Sequence, residues 1–413
     1  MRPLISAQRE ILDSLPMLPE VHVGLEEALG LVVAKDVWAS HDLPPFENSA
    51  MDGFAVRSID VTDAPVELEV VDEVAAGQAS SASVTCGGAI KIMTGAPMPV
   101  GADAVVKVED TEWIGETNRV RVLSSVDPGT AVRCAGGDVP KGAIVLRKGD
   151  RLGPSHLGVL ASVGEAFPLV RRRPVVAVIS TGDEVVPPET RNLGPGKIRD
   201  SNRFILRALL EEVGAAVVDR GILPDDAAIV SRVLNQCAGE VDVIVTSGGV
   251  SMGEYDVVKE AFRNAGSVDF WQVALQPAKP FGFGNVDGVP FFGLPGNPVS
   301  VAVAFEQYLR PGLLSMMGAT ALFRPRQKGV LIDSVRTDPA KEVFLRVHAS
   351  YERGRWVASL SGSQSSNVLS ALVAANAYAV VPVGVGSLKS GSDIDLEMYR
   401  WPENRTRLEA LNE

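Results

Sequence analysis

Cysteine is nearly absent: Cys86, Cys134 and Cys237 are the three in a chain of 413 residues. They lie far apart and form no CxxC pair, which argues against a disulfide framework and a structural zinc module. The four histidines, His22, His41, His156 and His348, show no metal-ligand spacing. Aromatic residues make up 6% of the chain, so its cores must rest on Val, Leu, Ala and Ile. Positive charge is in deficit, with 39 Lys and Arg against 51 Asp and Glu, a net charge of −12. A uniformly acidic protein repels nucleic acid and anionic membrane, so neither is expected as a partner. An anionic small molecule would need a local cation, a helix terminus or a bound metal ion. Long hydrophobic runs are missing too. The most apolar late stretch, ALVAANAYAVVPVGVG, is broken by Asn, Pro and Gly and is a poor membrane span. MRPLISAQREILDSLP reads as a short helix and not as a signal peptide, so a cytoplasmic location is expected.

What is present is an ordinary globular balance, 46% apolar and 22% charged, in a length that predicts two to four domains. Residues 1–43 read as helical, with AQREILDSL and GLEEALGLVVAKDV at helical spacing. Residues 44–133 read as a β-rich domain of short alternating runs (VELEVVDEV, AIKIM, DAVVKVED, RVRVL). Residues 134–168 lead through turns into a small-residue helix. They are expected to pack back on 1–43 as one discontinuous domain.

From 169 to 320 strands and helices alternate, beginning with PVVAVIS and SNRFILRALLEEVG and ending with FFGL and PVSVAVAFEQYLRPGLL. This pattern predicts a doubly wound α/β domain with a mostly parallel sheet, whose ligands would sit at the carboxyl ends of its strands. Residues 321–413 read as a small C-terminal β domain.

Three strand-exit loops carry candidate chemistry. STGDEVV places Asp183 and Glu184 past a buried strand. SGGVSMGEYD offers Ser247, Gly248, Gly249 and Ser251 as an anion cradle, with Glu254 and Asp256 near a helix start. In GLPGNPVSVAV, Asn297 fits an N-cap and Pro298 the first helical turn. Singly, each loop is weak: there is no GxGxxG and no GxxxxGK[ST]. Together on one edge they make a site. Lys279 supplies a cation near that edge, Thr94 and Asp138 sit in turns elsewhere, and Arg346 reads either as a site residue or as a strand-surface arginine. Asp52, in PPFENSAMDGFAV, reads first as a turn residue, with a presented carboxylate as the alternative.

The motifs PPFENSAMDGFAV, IMTGAPMPVGADAVV, STGDEV, GKIRDSN, SGGVSMGEYD and GLPGNPVSVAVAF occur in an order that resembles the MoeA / gephyrin E-domain family, over residues 5–400. The resemblance implies an L-shaped homodimer of four-domain subunits, with a MogA/MoaB-like α/β domain and a C-terminal β-barrel-like domain. It also implies a molybdopterin molybdenumtransferase: adenylated molybdopterin is cleaved, AMP leaves, and molybdate is inserted with Mg²⁺ assistance. On this resemblance Asp256 and Glu184 are metal-linked carboxylates, and Asp225 is an acid of the same pocket. Asp52, Thr94 and Asp138 line the cleft from the partner subunit. Pro295 and Pro298 form its wall, and Lys279, Arg346 and Ser366 serve molybdate. A MogA-like adenylyltransferase and apo-molybdoenzymes are the implied partners.

The chain departs from the family pattern in three places. Gln276-Pro277-Ala278-Lys279-Pro280 stands where the family usually has Lys-Pro-Gly-Lys-Pro, Gly136-Gly137-Asp138 where it often has Gly-Glu-Asp, and Gln364-Ser365-Ser366 where it has Gln-Gly-Ser. The departures admit two alternatives. One is a gephyrin-like dimeric scaffold that binds a short peptide of a cytoskeletal or membrane protein. The other is a pterin-binding module without transfer activity.

Overall fold

The computed structural model describes residues 1–249 and 266–403. The β-branched runs PVVAVIS and VDVIVTS form the inner strands Val175–Thr181 and Val243–Ser247, the latter buried at every residue. Continuous burial is what an apolar run without alternation requires. They lie in a six-stranded sheet ordered Ala216–Leu223, Val175–Thr181, Val243–Ser247, Val289–Leu294, Pro280–Val286, Gly266–Gln272. The first four strands are parallel and the last two antiparallel. Pro280–Val286 is a strand that the sequence pattern concealed. Its Gly284 replaces an expected β-former because a Cβ there would lie 2.1 Å from the Ser267 carbonyl oxygen.

Successive residues of Val175–Thr181 point to opposite faces. Val176 and Val178 join one core, with Leu206 and Leu210 of helix Asn202–Val213, Phe292 and Tyr308. Ala177 and Ile179 join the other, with Val230 and Leu234 of helix Ala227–Ala238. The first core also takes in Leu4, Ala7 and Ile11 of helix Leu4–Ser14, and Phe344, Tyr378 and Val380 of the C-terminal region. One face of the sheet therefore carries both the N-terminal helix and part of the C-terminal barrel. The expected helix YDVVKEAFRNAG lies outside the described residues.

The C-terminal strands close on themselves. Glu342–Glu352 pairs with Arg355–Leu360, then come Arg326–Leu331, Ser392–Met398 and Ala377–Val381, which pairs back to Glu342–Glu352. The result is a five-stranded barrel filled by Leu345, Val347, Ala358, Ala379 and Leu396, and closure removes its free edges.

Residues 53–122 form a second six-stranded sheet, in the order Ala104–Lys107, Gly53–Val56, Gly88–Ile92, Val66–Val74, Arg119–Val122, Thr111–Ile114. The expected helix GLEEALGLVVAKDV is not one. Its first half is turns and its second holds the short strands Val32–Val33 and Val37–Trp38. Val32–Val33 pairs with Leu169–Arg171, and Val37–Trp38 with Ile144–Leu146. Tertiary pairing of β-branched residues overrides the helical spacing. Ala28, Leu31, Val33 and Val37 share a core with Leu146, Leu152, Leu160 and Val170, so the segments before and after the large β region pack together.

Candidate functional site

The four parallel strands end side by side: Thr181 is opposite Leu223, Ser180 opposite Ser247, and Ser247 opposite Leu294. The exits 182–184, 224–226, 248–249 and 295–298 consequently share one edge. Asp183 and Asp225 hold two of these loops together reciprocally. The Asp183 N–H donates to Asp225 Oδ2 at 3.3 Å, and the Asp225 N–H donates to Asp183 Oδ1 at 3.1 Å. Glu184 is exposed beside them, its carbonyl accepting from the Ile198 N–H at 2.8 Å. Gly248 has φ 96°, and a Cβ there would meet the Thr181 carbonyl oxygen at 2.7 Å, so only glycine allows this approach.

Asn202 ties the remaining loops. Its Nδ2 donates to Ser247 Oγ at 2.8 Å and to the Gly296 carbonyl at 2.7 Å. Its Oδ1, with the hydroxyls of Ser180, Thr181 and Thr246, is buried without a hydrogen-bond partner among the described residues. Unpaired buried polar atoms are costly, and here they gather at the ends of two adjacent strands. Pro295 is buried, and Pro298 is half-buried at the first position of helix Pro298–Ala304.

Asn297 occupies the N-cap position, as its sequence context predicts, but its side chain does not cap. Its Nδ2 donates instead to Ser366 Oγ at 3.0 Å, and the Val299 N–H at the helix start donates to the Ser366 carbonyl at 3.2 Å. A loop of the barrel thus satisfies the helix end, a long-range contact invisible to local capping rules. Arg346 is not a strand-surface residue: it is 1% exposed. Its guanidinium donates to the carbonyls of Phe344, Ser363 and Ser365 at 3.3–3.4 Å, and its Nε has no partner among the described residues. Burial lowers its pKa, against the weaker opposing effects of Tyr378 and Tyr399. Lys279 is exposed just before Pro280–Val286, a strand that starts where Val289–Leu294 ends, so it stands at the same edge. Ala278 beside it adopts φ 81°, a left-handed conformation that suits the glycine of the family pattern.

The other candidates converge elsewhere in the same chain. Strand Asn48–Ser49 pairs with Val132–Arg133, Asn48 bridges Pro97, and the Gly136 and Asp138 N–H groups donate to the Pro44 and Leu43 carbonyls. Three distant motifs therefore meet, carrying Asp52, Thr94 and Asp138, all on exposed loops. Thr94 donates its N–H and its hydroxyl to Asp52 Oδ1, both at 2.7 Å. The N–H bond first, then the hydroxyl bond, holds the Asp52 pKa below the ordinary carboxylate value. The Asp-Gly pair is not a positive-φ turn. Gly53 opens strand Gly53–Val56, and glycine is needed because a Cβ would lie 2.1 Å from the Val106 carbonyl oxygen. Among the described residues no hydrogen bond or ion pair joins these loops to the sheet edge.

Ser251, Glu254 and Asp256 lie outside the described residues. Among the described residues no group of three or more His, Cys, Asp or Glu gathers as a metal centre. What the edge offers is exposed carboxylate oxygen, the donor type that Mg²⁺ takes once or twice alongside phosphate and water. Asn202 is a structural participant that sequence reading missed, and so are the long-range bonds of Asn297 and Gln364, although the sequence singles out both residues. Asn202 sits in the quoted motif GKIRDSN, and that motif was the available signal. No helix among the described residues is long and apolar enough to cross a membrane.

Three family models match the chain in order. They are the MoeA N-terminal region (domain I and II) over residues 2–164, a probable molybdopterin binding domain over 177–315, and the MoeA C-terminal region (domain IV) over 328–399. The chain is 39% identical to molybdopterin molybdenumtransferase 2 of Mycobacterium tuberculosis, over 96% of this chain and 99% of that one. It is 34% identical to the molybdopterin molybdenumtransferase of Haemophilus influenzae, over 97% and 99%. The crystal structure of the molybdopterin biosynthesis moeA protein of Pyrococcus horikoshii OT3 superimposes with a TM-score of 0.81 at 31% identity, covering 97% of this chain and all of that one. With three matching regions in order and near-complete coverage by relatives above 30% identity, the chain belongs to the MoeA family of molybdopterin molybdenumtransferases, enzymes of molybdenum cofactor biosynthesis.

Proposed function

We propose that this protein inserts molybdenum from molybdate into adenylated molybdopterin, releasing AMP, and that it works as a homodimer. In this reading the sheet edge of one subunit binds the substrate, and the Asp52, Thr94 and Asp138 loops of the other complete the cleft. The observation that carries the reading is the edge itself. Ser247, Gly248, Glu184, Asp225, Pro295, Pro298 and Lys279 gather there, with Asn202 and Ser366 bonded to its loops.

Roles follow from chemistry. The glycine-rich exit and Ser247 suit the phosphate-bearing anion. Lys279, buried Arg346 and Ser366 suit a tetrahedral oxoanion, since charged donors make the stronger hydrogen bonds to it. Glu184, with Asp256, would hold Mg²⁺, which when bound polarises phosphoryl oxygen and offsets its charge. Asp225 completes the acid set. Discontinuous 1–43 with 134–168, then 44–133, 169–320 and 321–413, are the proposed domains. A MogA-like adenylyltransferase would supply the substrate, apo-molybdoenzymes would receive the product, and the setting is the cytoplasm.

The test is transfer itself. Purified protein with adenylated molybdopterin, Mg²⁺ and molybdate should activate an apo-molybdoenzyme, and activation that does not depend on the protein would contradict the reading. A peptide-scaffold role has one feature in its favour, a row of aromatic rings on the barrel. Trp356 lies 5.5 Å from exposed Tyr351 and 5.6 Å from exposed Trp401, centroid to centroid.

A further inference from the structure

Gln364 occupies neither the sheet edge nor the N-terminal loops, yet it uses both ends of its amide on the main chain. Its Oε1 accepts from the Arg346 N–H at 2.9 Å. Its Nε2 donates to the Arg346 carbonyl at 3.1 Å and to the Gly362 carbonyl at 3.0 Å. The orientation of the amide is fixed by its partners, because a backbone N–H can be met only by the oxygen. A central barrel strand, Glu342–Glu352, is thereby fastened to the loop 362–366. The Arg346 guanidinium holds the Ser363 and Ser365 carbonyls of the same loop. One residue further on, Ser366 meets Asn297 and Val299 at the sheet edge. The bonds run continuously from the barrel to the edge, and Gln364 is the member with no cost of its own to explain: half-buried, neutral and fully paired.

We infer that Gln364 is a positioning residue: it seats Ser366 against the 295–298 loop and so sets the affinity of the site for the oxoanion, not the rate of the chemical step. The inference rests on the proposed transferase reading for its ligand, but the mechanical link does not. A residue that shapes a binding geometry without touching reacting atoms changes KM and leaves kcat, whereas loss of a bond made only in the transition state changes kcat. No other side chain of similar length offers one donor and one acceptor in the same fork. Gln364→Met keeps length and volume and removes both.

Two measurements on full-length Gln364→Met test this. The first is amide hydrogen exchange. Protection of the Val299 N–H should fall at least about tenfold while barrel-strand amides other than that of Arg346, which loses its acceptor directly, keep theirs. Unchanged protection at Val299 overturns the link whatever the enzyme does, and general loss in the barrel strands overturns it by making Gln364 merely structural. The second is steady-state AMP release with molybdate varied. KM for molybdate should rise about tenfold, with kcat at saturating molybdate within about twofold of wild type. A fall in kcat at unchanged KM, or no change in either, overturns the inference. If the wild-type protein neither binds molybdate nor releases AMP, the transferase reading fails, and Val299 protection alone decides the link.

Discussion

Thr94 gives both its N–H and its hydroxyl to a single oxygen of Asp52, Oδ1, at 2.7 Å each. The exposed carboxylate is thereby oriented and kept ionised. Thr94→Val retains shape and the N–H bond but removes the hydroxyl. The Asp52 pKa should rise toward the ordinary value, read by NMR titration of the carboxyl carbon. The sign is that of an acid held low by folding: its contribution to stability is present above the unfolded pKa and fades as pH falls. A titration midpoint that does not move would contradict the assignment of the hydroxyl. Transfer activity should fall in the same variant, since the carboxylate loses one of its two restraints.

Gly53→Ala should be strongly destabilising. Its Cβ would have to clear the Val106 carbonyl oxygen from 2.1 Å, and forced overpacking costs about 1–3 kcal/mol. Urea denaturation should show a loss in that range. A loss no greater than about 0.5 kcal/mol, typical of a surface turn position, would mean that the strand is placed otherwise.

Ala278 sits at φ 81° in a buried position. The left-handed region costs an L-residue about 1–2 kcal/mol, and glycine returns part of that gain as unfolded-chain entropy of about 0.5–1 kcal/mol. Ala278→Gly should therefore stabilise the protein by about 0.5 kcal/mol in urea denaturation, and destabilisation would contradict the backbone assignment. At the neighbouring departure, Gln276→Lys should tighten molybdate binding by adding a second cation to the edge. An unchanged dissociation constant in equilibrium dialysis would mean that the site is already neutralised by other groups.

Asp52→Ala and Glu184→Ala should each abolish transfer without unfolding the chain, because both side chains are exposed. If the cleft is shared between subunits, co-refolding equal amounts of the two inactive proteins should restore about a quarter of wild-type activity. Half of the dimers are then mixed, and each mixed dimer has one intact site. Continued inactivity of dimers verified as mixed would place both residues in the same subunit's site.

The sequence discloses most of this architecture where local pattern and tertiary environment agree. Val175–Thr181 and Val243–Ser247 are legible because a strand buried on both faces runs as unbroken apolar residues until the hydroxyls at its exit. Asn202–Val213 is legible because its apolar stripe repeats at helical spacing. Legibility ends where distant segments decide. Val32–Val33 is a strand because Leu169–Arg171 pairs with it, and Pro280–Val286 tolerates glycine because Ser267 approaches it. In the candidate site, Asp183 and Asp225 could be placed by topology. The Ser366 carbonyl at Val299 could not, since no local rule links residues so far apart. Arg346 looks like a surface residue in an alternating strand, and it does alternate with the barrel-filling Leu345 and Val347, but its face is covered by the loop 363–365.

Molybdate dependence of AMP release separates a transferase from a protein that only binds. Purified wild-type protein is given adenylated molybdopterin and Mg²⁺, and AMP is followed by chromatography with and without molybdate. Release that rises with molybdate and saturates, and that is lost in Glu184→Ala, is the predicted result. Substrate bound without AMP release at any molybdate concentration would contradict it.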